Sequence, residues 1–167
     1  MTTGSPARAS HPTRRTVIRG FAGLAGASAL ATLASAPRPV GGGTRDTIVQ
    51  AAKADPDHFM QRALELRRQA QDRGDQPYGA VVVKEGRIVG EGASGVVVHR
   101  DPTAHAEMEA IRDACRRLGT NDLTGCEIYA TSPPCRMCET ACYWARISRM
   151  YVGSPITDGG APRYATC

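Results

Sequence analysis

The chain has 167 residues, enough for one domain with a real core, and a formal charge of +5 from 21 basic and 16 acidic residues. Four of the basic residues, Arg8, Arg14, Arg15 and Arg19, fall within the first 36 positions, which hold no acid, and the remainder carries 17 basic residues against 16 acids. A domain that binds a polyanion usually presents a basic face, and this near-neutral remainder gives that function no compositional support.

In chain order, "TRRTVIRGF" sets Arg14 and Arg15 before a mild apolar run, "GFAGLAGASALATLA". The run is short for a membrane span and rich in Gly and Ala, and "ASA" at 34–36 offers small residues to a peptidase. Residues 1–36 resemble a twin-arginine-type signal segment, which implies export of an already folded protein to the periplasm or the extracellular space. The plainer alternative is a tail with weak membrane affinity. "APRPVGGGTRD" has Pro and Gly without apolar periodicity, so 37–54 reads as a linker and 55–167 as the folded domain.

"ADPDHFMQRALELRRQAQDRG" predicts a helix capped by Asp55, opened by Pro56 and stopped at Gly74, with Phe59, Ala63, Leu66 and Ala70 on one stripe. "PYGAVVVKEGRIVGEG" predicts two strands around a Lys-Glu-Gly turn. "ASGVVVHRDPTA" reads as a loop entering a helix from about Ala104 to Leu118. "CEIYATS" predicts a third strand, "PPCRMCETACYWARI" a third helix and "RMYVGS" a fourth strand. Strands separated by helices imply parallel pairing in a layered α/β sheet.

The chemistry sits at two helix starts. Cys135 and Cys138 are three apart in "PPCRMC", so both thiols face one point, and the positive helix end favours thiolate, the form that binds zinc. Alone, the pair also fits a redox couple, half of a structural zinc site or two core cysteines. His105 heads the preceding helix, and loops after parallel strands gather at one sheet edge. His105, Cys135 and Cys138 can therefore meet, and three protein ligands leave one zinc position open, the pattern of a catalytic site. Two glutamates follow His105. Helical spacing puts Glu109 on its face at i+4, while Glu107, near the helix start, can reach the pocket without touching a metal. Spacing leaves that choice open.

"HAE" followed by "PPCRMC" fits the H-x-E…P-C-x-x-C signature of the zinc-dependent cytidine and nucleobase deaminases. "YGAVVVKEGRIVGEG", "DPTAHAEMEAIRDAC", "LGTNDLTGCEIYATS" and "YWARISRMYVG" look most like bacterial guanine deaminases and tRNA adenosine deaminases. The resemblance implies a three-layer cytidine-deaminase-like fold with a central mixed sheet flanked by helices. It implies Zn2+ held by His105, Cys135 and Cys138, with Glu107 as proton shuttle and Glu109 as an ordinary helix residue. The implied reaction is hydrolytic: water adds to the ring carbon bearing an exocyclic amine, Glu107 passes protons to the ring nitrogen and the amine, and ammonia leaves a carbonyl behind. The backbone N–H of Ala106 would bind the substrate.

Three departures bear on the substrate. Where these relatives hydrogen-bond the base through Asn, this chain has Ser94, which is shorter and lacks the paired donor and acceptor of an amide. Pro133 stands where the family usually has Glu. Where guanine deaminases continue with a helix and a tail that closes the pocket, this chain has "SPITDGGAPRYATC": Asp158 matches the start of that helix, but the acid and aromatic that help recognise guanine have no counterpart unless Tyr164 stands in. The expected substrate is a small nucleobase-type heterocycle, guanine-like or related, with no nucleic-acid partner and, by family analogy, a homo-oligomeric state. The alternatives are a catalytically silent zinc-binding interaction domain, a tRNA adenosine deaminase, and a thiol oxidoreductase using Cys135 and Cys138. Cys115 and Cys142 are expected in the core, as is Trp144 beneath the active-site helix. His58, His99 and Arg136 are expected in loop or surface places, and Cys167 stays open between a bridge, a metal contact and exposure.

Overall fold

The computed structural model describes residues 47–164. These all belong to one unit, Thr44–Cys167. Residues 1–46, where a twin-arginine-type segment and most of a linker are expected, and Cys167 lie outside the described residues.

Helix α1 (Pro56–Asp72) starts as its sequence dictates: Asp55 accepts a hydrogen bond from the His58 N–H at 3.0 Å, and Pro56 occupies the first turn. Strands β1 (Gly79–Lys84) and β2 (Arg87–Ala93) form the expected antiparallel hairpin. Helix α2 (Ala106–Leu118) follows, capped at its end by left-handed Gly119. Then come β3 (Cys126–Ala130), α3 (Arg136–Trp144), β4 (Arg149–Val152) and β5 (Thr157–Gly160).

The sheet order is β2-β1-β3-β4-β5. β3 and β4, joined through α3, pair in parallel, and the other neighbouring pairs are antiparallel. Because β1 is antiparallel to both β2 and β3, those two strands run the same way with β1 between them. The ends from which α2 and α3 depart therefore share one edge of the sheet.

Three layers result. On one face, Phe59, Met60, Ala63 and Leu66 of α1 pack on Val81, Val83, Ile88 and Tyr129. On the other, Ala106, Ala110, Ala114 and Cys142 pack on Ala80, Val82, Ile128 and Ala130. Central β1 is buried from Gly79 to Val83, which is why its sequence is a continuous apolar run. The α2 interface is close because β2 presents glycines to it. A Cβ on Gly90 would lie 2.5 Å from the Ala110 carbonyl oxygen, and one on Gly92 would overlap the Ala106 oxygen and Ala110 nitrogen. Four helical residues advance about 6 Å and two strand residues about 6.6 Å, so alanines four apart can sit over glycines two apart.

Two expectations are corrected. The C-terminal segment adds a fifth strand: Asp158 lies in β5, with its carboxylate accepting from Arg149 Nε at 2.9 Å, rather than opening a helix. "TDGG" lacks the β-branched and aromatic residues that mark strands, and backbone pairing to β4 decides its conformation. Trp144 is 68% exposed instead of core. It sits two residues past Cys142, the buried face of α3, and at 100° per residue two positions turn it away from the sheet. There it meets Tyr143 and Tyr164, both edge-on.

Candidate metal centre

His105 and Cys135 are the N-cap residues of α2 and α3, both with extended backbone and neither using its side chain to cap the helix. Both side chains are thus free to turn toward the point where the two helix starts meet. Cys138 lies one turn into α3 and is fully buried. His105 Nδ1 is 3.7 Å from Cys135 Sγ and 3.6 Å from Cys138 Sγ, and the two sulfurs are 3.6 Å apart.

This near-equilateral triangle fits zinc. With Zn–S near 2.3 Å and Zn–N near 2.0 Å in a tetrahedron, the ligand edges are about 3.5 to 3.8 Å. These residues form the group able to hold a metal ion among the described residues, and three ligands leave a fourth position. Burial, then the neighbouring Glu107 and Cys135, hold the Cys138 thiol well above the usual thiol range. A cation beside it is what stabilises the thiolate.

The two glutamates separate cleanly. Glu107 is buried at 7% exposure, with Oε2 3.6 Å from Cys138 Sγ, beside the three-ligand set and not within it. Burial raises its carboxyl above the ordinary value, against the opposing pull of its own backbone N–H, Cys138 and His105. Glu109 turns away and pairs with Arg112 at 2.5 Å. Helical spacing favours Glu109 as the partner of His105; the position of Glu107 in the first turn, beside the opening, is what the spacing misses.

Ala106 is the first residue of α2, where backbone N–H groups lack intrahelical acceptors. Ser94 is fully buried just past β2, and its hydroxyl donates to Asp75 Oδ1 at 2.8 Å. Asp75 has no signal in the sequence beyond that of a turn residue after Gly74. Yet it also accepts from the N–H groups of Gln76 (2.7 Å), Val97 (3.0 Å) and Val98 (2.9 Å). Partial burial pushes its carboxyl up, but the hydrogen bonds from Val98, Ser94, Gln76 and Val97 outweigh that and hold it at about 2. Elsewhere, Cys142 is buried as expected and Cys115 half-buried, and His99 and Arg136 are exposed.

The family model for the cytidine and deoxycytidylate deaminase zinc-binding region matches residues 53–154. A tRNA-specific adenosine deaminase of Aquifex aeolicus is 46% identical over 94 residues, 56% of this chain and 62% of that protein. A guanine deaminase of Bacillus subtilis is 44% identical over 101 residues, 60% of this chain and 65% of that protein. The chain thus spans under two thirds of the length of these two relatives. The solved structure of guanine deaminase from Bacillus subtilis superposes with a TM-score of 0.58 at 42% identity, covering 59% of this chain and 64% of that one. With the three ligand-type residues converging and the match running through α1 to β4, the chain belongs to the cytidine and deoxycytidylate deaminase zinc-binding family.

Proposed function

We propose that the protein is a zinc-dependent hydrolytic deaminase that converts an exocyclic amine of a free nucleobase, guanine-like or a related aminated heterocycle, to a carbonyl with release of ammonia. The observation that carries this reading is a buried Glu107 beside the His105, Cys135 and Cys138 triangle, and outside it. A structural zinc site has no need of a desolvated acid at its side.

His105, Cys135 and Cys138 would hold zinc, and the chemistry it would supply there is Lewis-acid activation of a water, bringing the loss of its proton toward neutral pH. Glu107 accepts a proton from the attacking water, helped by burial that raises its affinity for protons. It delivers that proton to the ring nitrogen, then takes the proton of the hydroxyl added to the ring carbon and passes it to the departing amine, so that the carboxylate returns to its starting state. The Ala106 N–H, in the first turn of α2 and without an intrahelical acceptor, would donate to a carbonyl of the substrate.

A small base is favoured over tRNA. The part of the chain after the first 36 residues is close to neutral. Arg62, Arg112, Arg116, Arg146 and Arg149 each face a carboxylate, which leaves little net positive surface for a phosphate backbone. The twin-arginine-type segment supports export, a compartment that would separate the enzyme from tRNA.

The test is ammonia release from guanine, cytosine, adenine, their nucleosides and s-triazine amines by the zinc-loaded full chain. Wild type should turn over at least one free base, Glu107→Ala none, and Glu109→Ala should remain active. Zinc retention without turnover of any member of the panel would instead identify a silent zinc-binding domain. Inactivity of Glu109→Ala with Glu107→Ala still active would overturn the assignment of the acid.

A further inference from the structure

We propose that Asp75 is a positioning residue for the metal centre, a buried carboxylate that pins the loop leading from β2 to His105, and that the Ser94 hydroxyl serves this pin rather than the substrate. The inference deepens the deaminase reading and rests on it only for its kinetic arm.

The chain of contacts is continuous. Asp75 Oδ1 accepts from Ser94 Oγ at the start of the loop, and Asp75 Oδ2 accepts from the Val97 and Val98 N–H groups within it. The Gly95 N–H donates to the Ala104 carbonyl at 2.9 Å, and Ala104 precedes His105. One carboxylate on the α1–β1 connection thereby fixes both the entry of the loop and its middle, while the Gly95 to Ala104 bond ties the entry to the exit at the N-cap of α2. Val97 and Val98 are 56% and 49% exposed, so apolar burial does little to hold this loop. Hydrogen bonds hold it instead: the Ser94 N–H to the Tyr78 carbonyl, Arg73 to the Ser94 carbonyl, and those from Ser94, Val97 and Val98 to the Asp75 carboxylate, and bonds to an anion are roughly twice as strong as neutral ones. Ser94 is fully buried, with its one hydroxyl hydrogen committed to Asp75. In that state it has no donor left for a base.

The test uses the full chain and zinc as the probe, with affinity read by competition with a chelator well below the melting temperature. Asp75→Ala should weaken zinc binding about tenfold, the lower range for a partner that orients metal ligands. Ser94→Ala should weaken it less, and should add nothing in the Asp75→Ala background, because both remove the same pin. Asp122→Ala is the matched control: Asp122 also accepts from a nearby N–H and hydroxyl, both of Thr124, and its loss should lower stability without touching zinc affinity. Should Asp75→Ala not fold, Asp75→Asn keeps the volume but turns an amide N–H2 toward the N–H donors, and should show the same loss. On the base that wild type deaminates, the zinc-saturated Asp75 variants should lower kcat more than they raise KM, because the pin places a metal ligand and not the substrate. Unchanged zinc affinity in the Asp75 variants, or a Ser94→Ala effect undiminished without Asp75, would overturn the proposal. Wild type that binds zinc but deaminates nothing would defeat the deaminase reading and leave the zinc result to decide this one.

Discussion

Replacing Gly92 by alanine should damage the site from beneath without changing any of its side chains. A Cβ at this position meets the Ala106 oxygen and Ala110 nitrogen, backbone atoms that cannot rotate aside. The corresponding separation at Gly90 is 2.5 Å, and ordinary contact begins at 3.4 Å, so α2 must retreat by at least about 0.9 Å. Overpacking of this kind costs about 1–3 kcal/mol, or about 4 °C in Tm per kcal/mol for a folded unit of this size. The retreat carries His105, Ala106 and Glu107 away while Cys135 and Cys138 stay on α3. A displacement near 1 Å is enough to lower turnover about 10²-fold. The assay is calorimetric Tm, zinc affinity and turnover of the base found in the panel. Gly74→Ala is the comparison: Gly74 has φ +77° with nothing near its Cβ, so alanine there should cost about 1 kcal/mol and spare the zinc. Wild-type zinc affinity and turnover in Gly92→Ala would refute the reasoning, as would equal damage from Gly74→Ala.

Further outcomes follow from individual side chains. Glu107→Gln should keep zinc and lose about 10²- to 10⁴-fold in turnover; because burial disfavours the charged acid, its Tm at neutral pH should not fall. The Asp75 carboxyl is held at about 2 in the fold against 3.8 when free, so its contribution is present above pH 3.8 and fades as the pH drops through about 2. The Tm gap between wild type and Asp75→Asn should therefore be full at pH 6 and close between about pH 4 and 2; a gap constant with pH would contradict this. Cys142, whose thiol burial pushes up to about 12, should resist alkylation at pH 8 in the native protein, whereas exposed Cys135 should react once zinc is stripped by a chelator. Mass spectrometry of the alkylated peptides reads both.

Much of the site was legible because its logic is local. A helix start is marked in sequence by what precedes it, and "DPTAHAE" and "PPCRMC" each place a ligand-type residue at such a start. Convergence needed one further rule, that loops after like-directed strands share an edge, and it holds although β1 separates β2 from β3. What escaped was long-range. Asp75 reads as a turn residue, and its bond to Ser94, 19 positions away, has no local signature. β5 escaped because pairing, not composition, makes it a strand. Trp144 reads as core by residue type, but its angle on α3, where Cys138 and Cys142 define the buried side, turns it outward.

The central claim is that His105, Cys135 and Cys138 hold one zinc with a position open and Glu107 unbound beside it. X-ray absorption at the zinc edge of the full chain reads that directly. The account predicts two sulfurs at about 2.3 Å and two lighter atoms at about 2.0 Å, with a spectrum unaltered by Glu107→Ala. A four-sulfur shell, or loss of a ligand in Glu107→Ala, would contradict it.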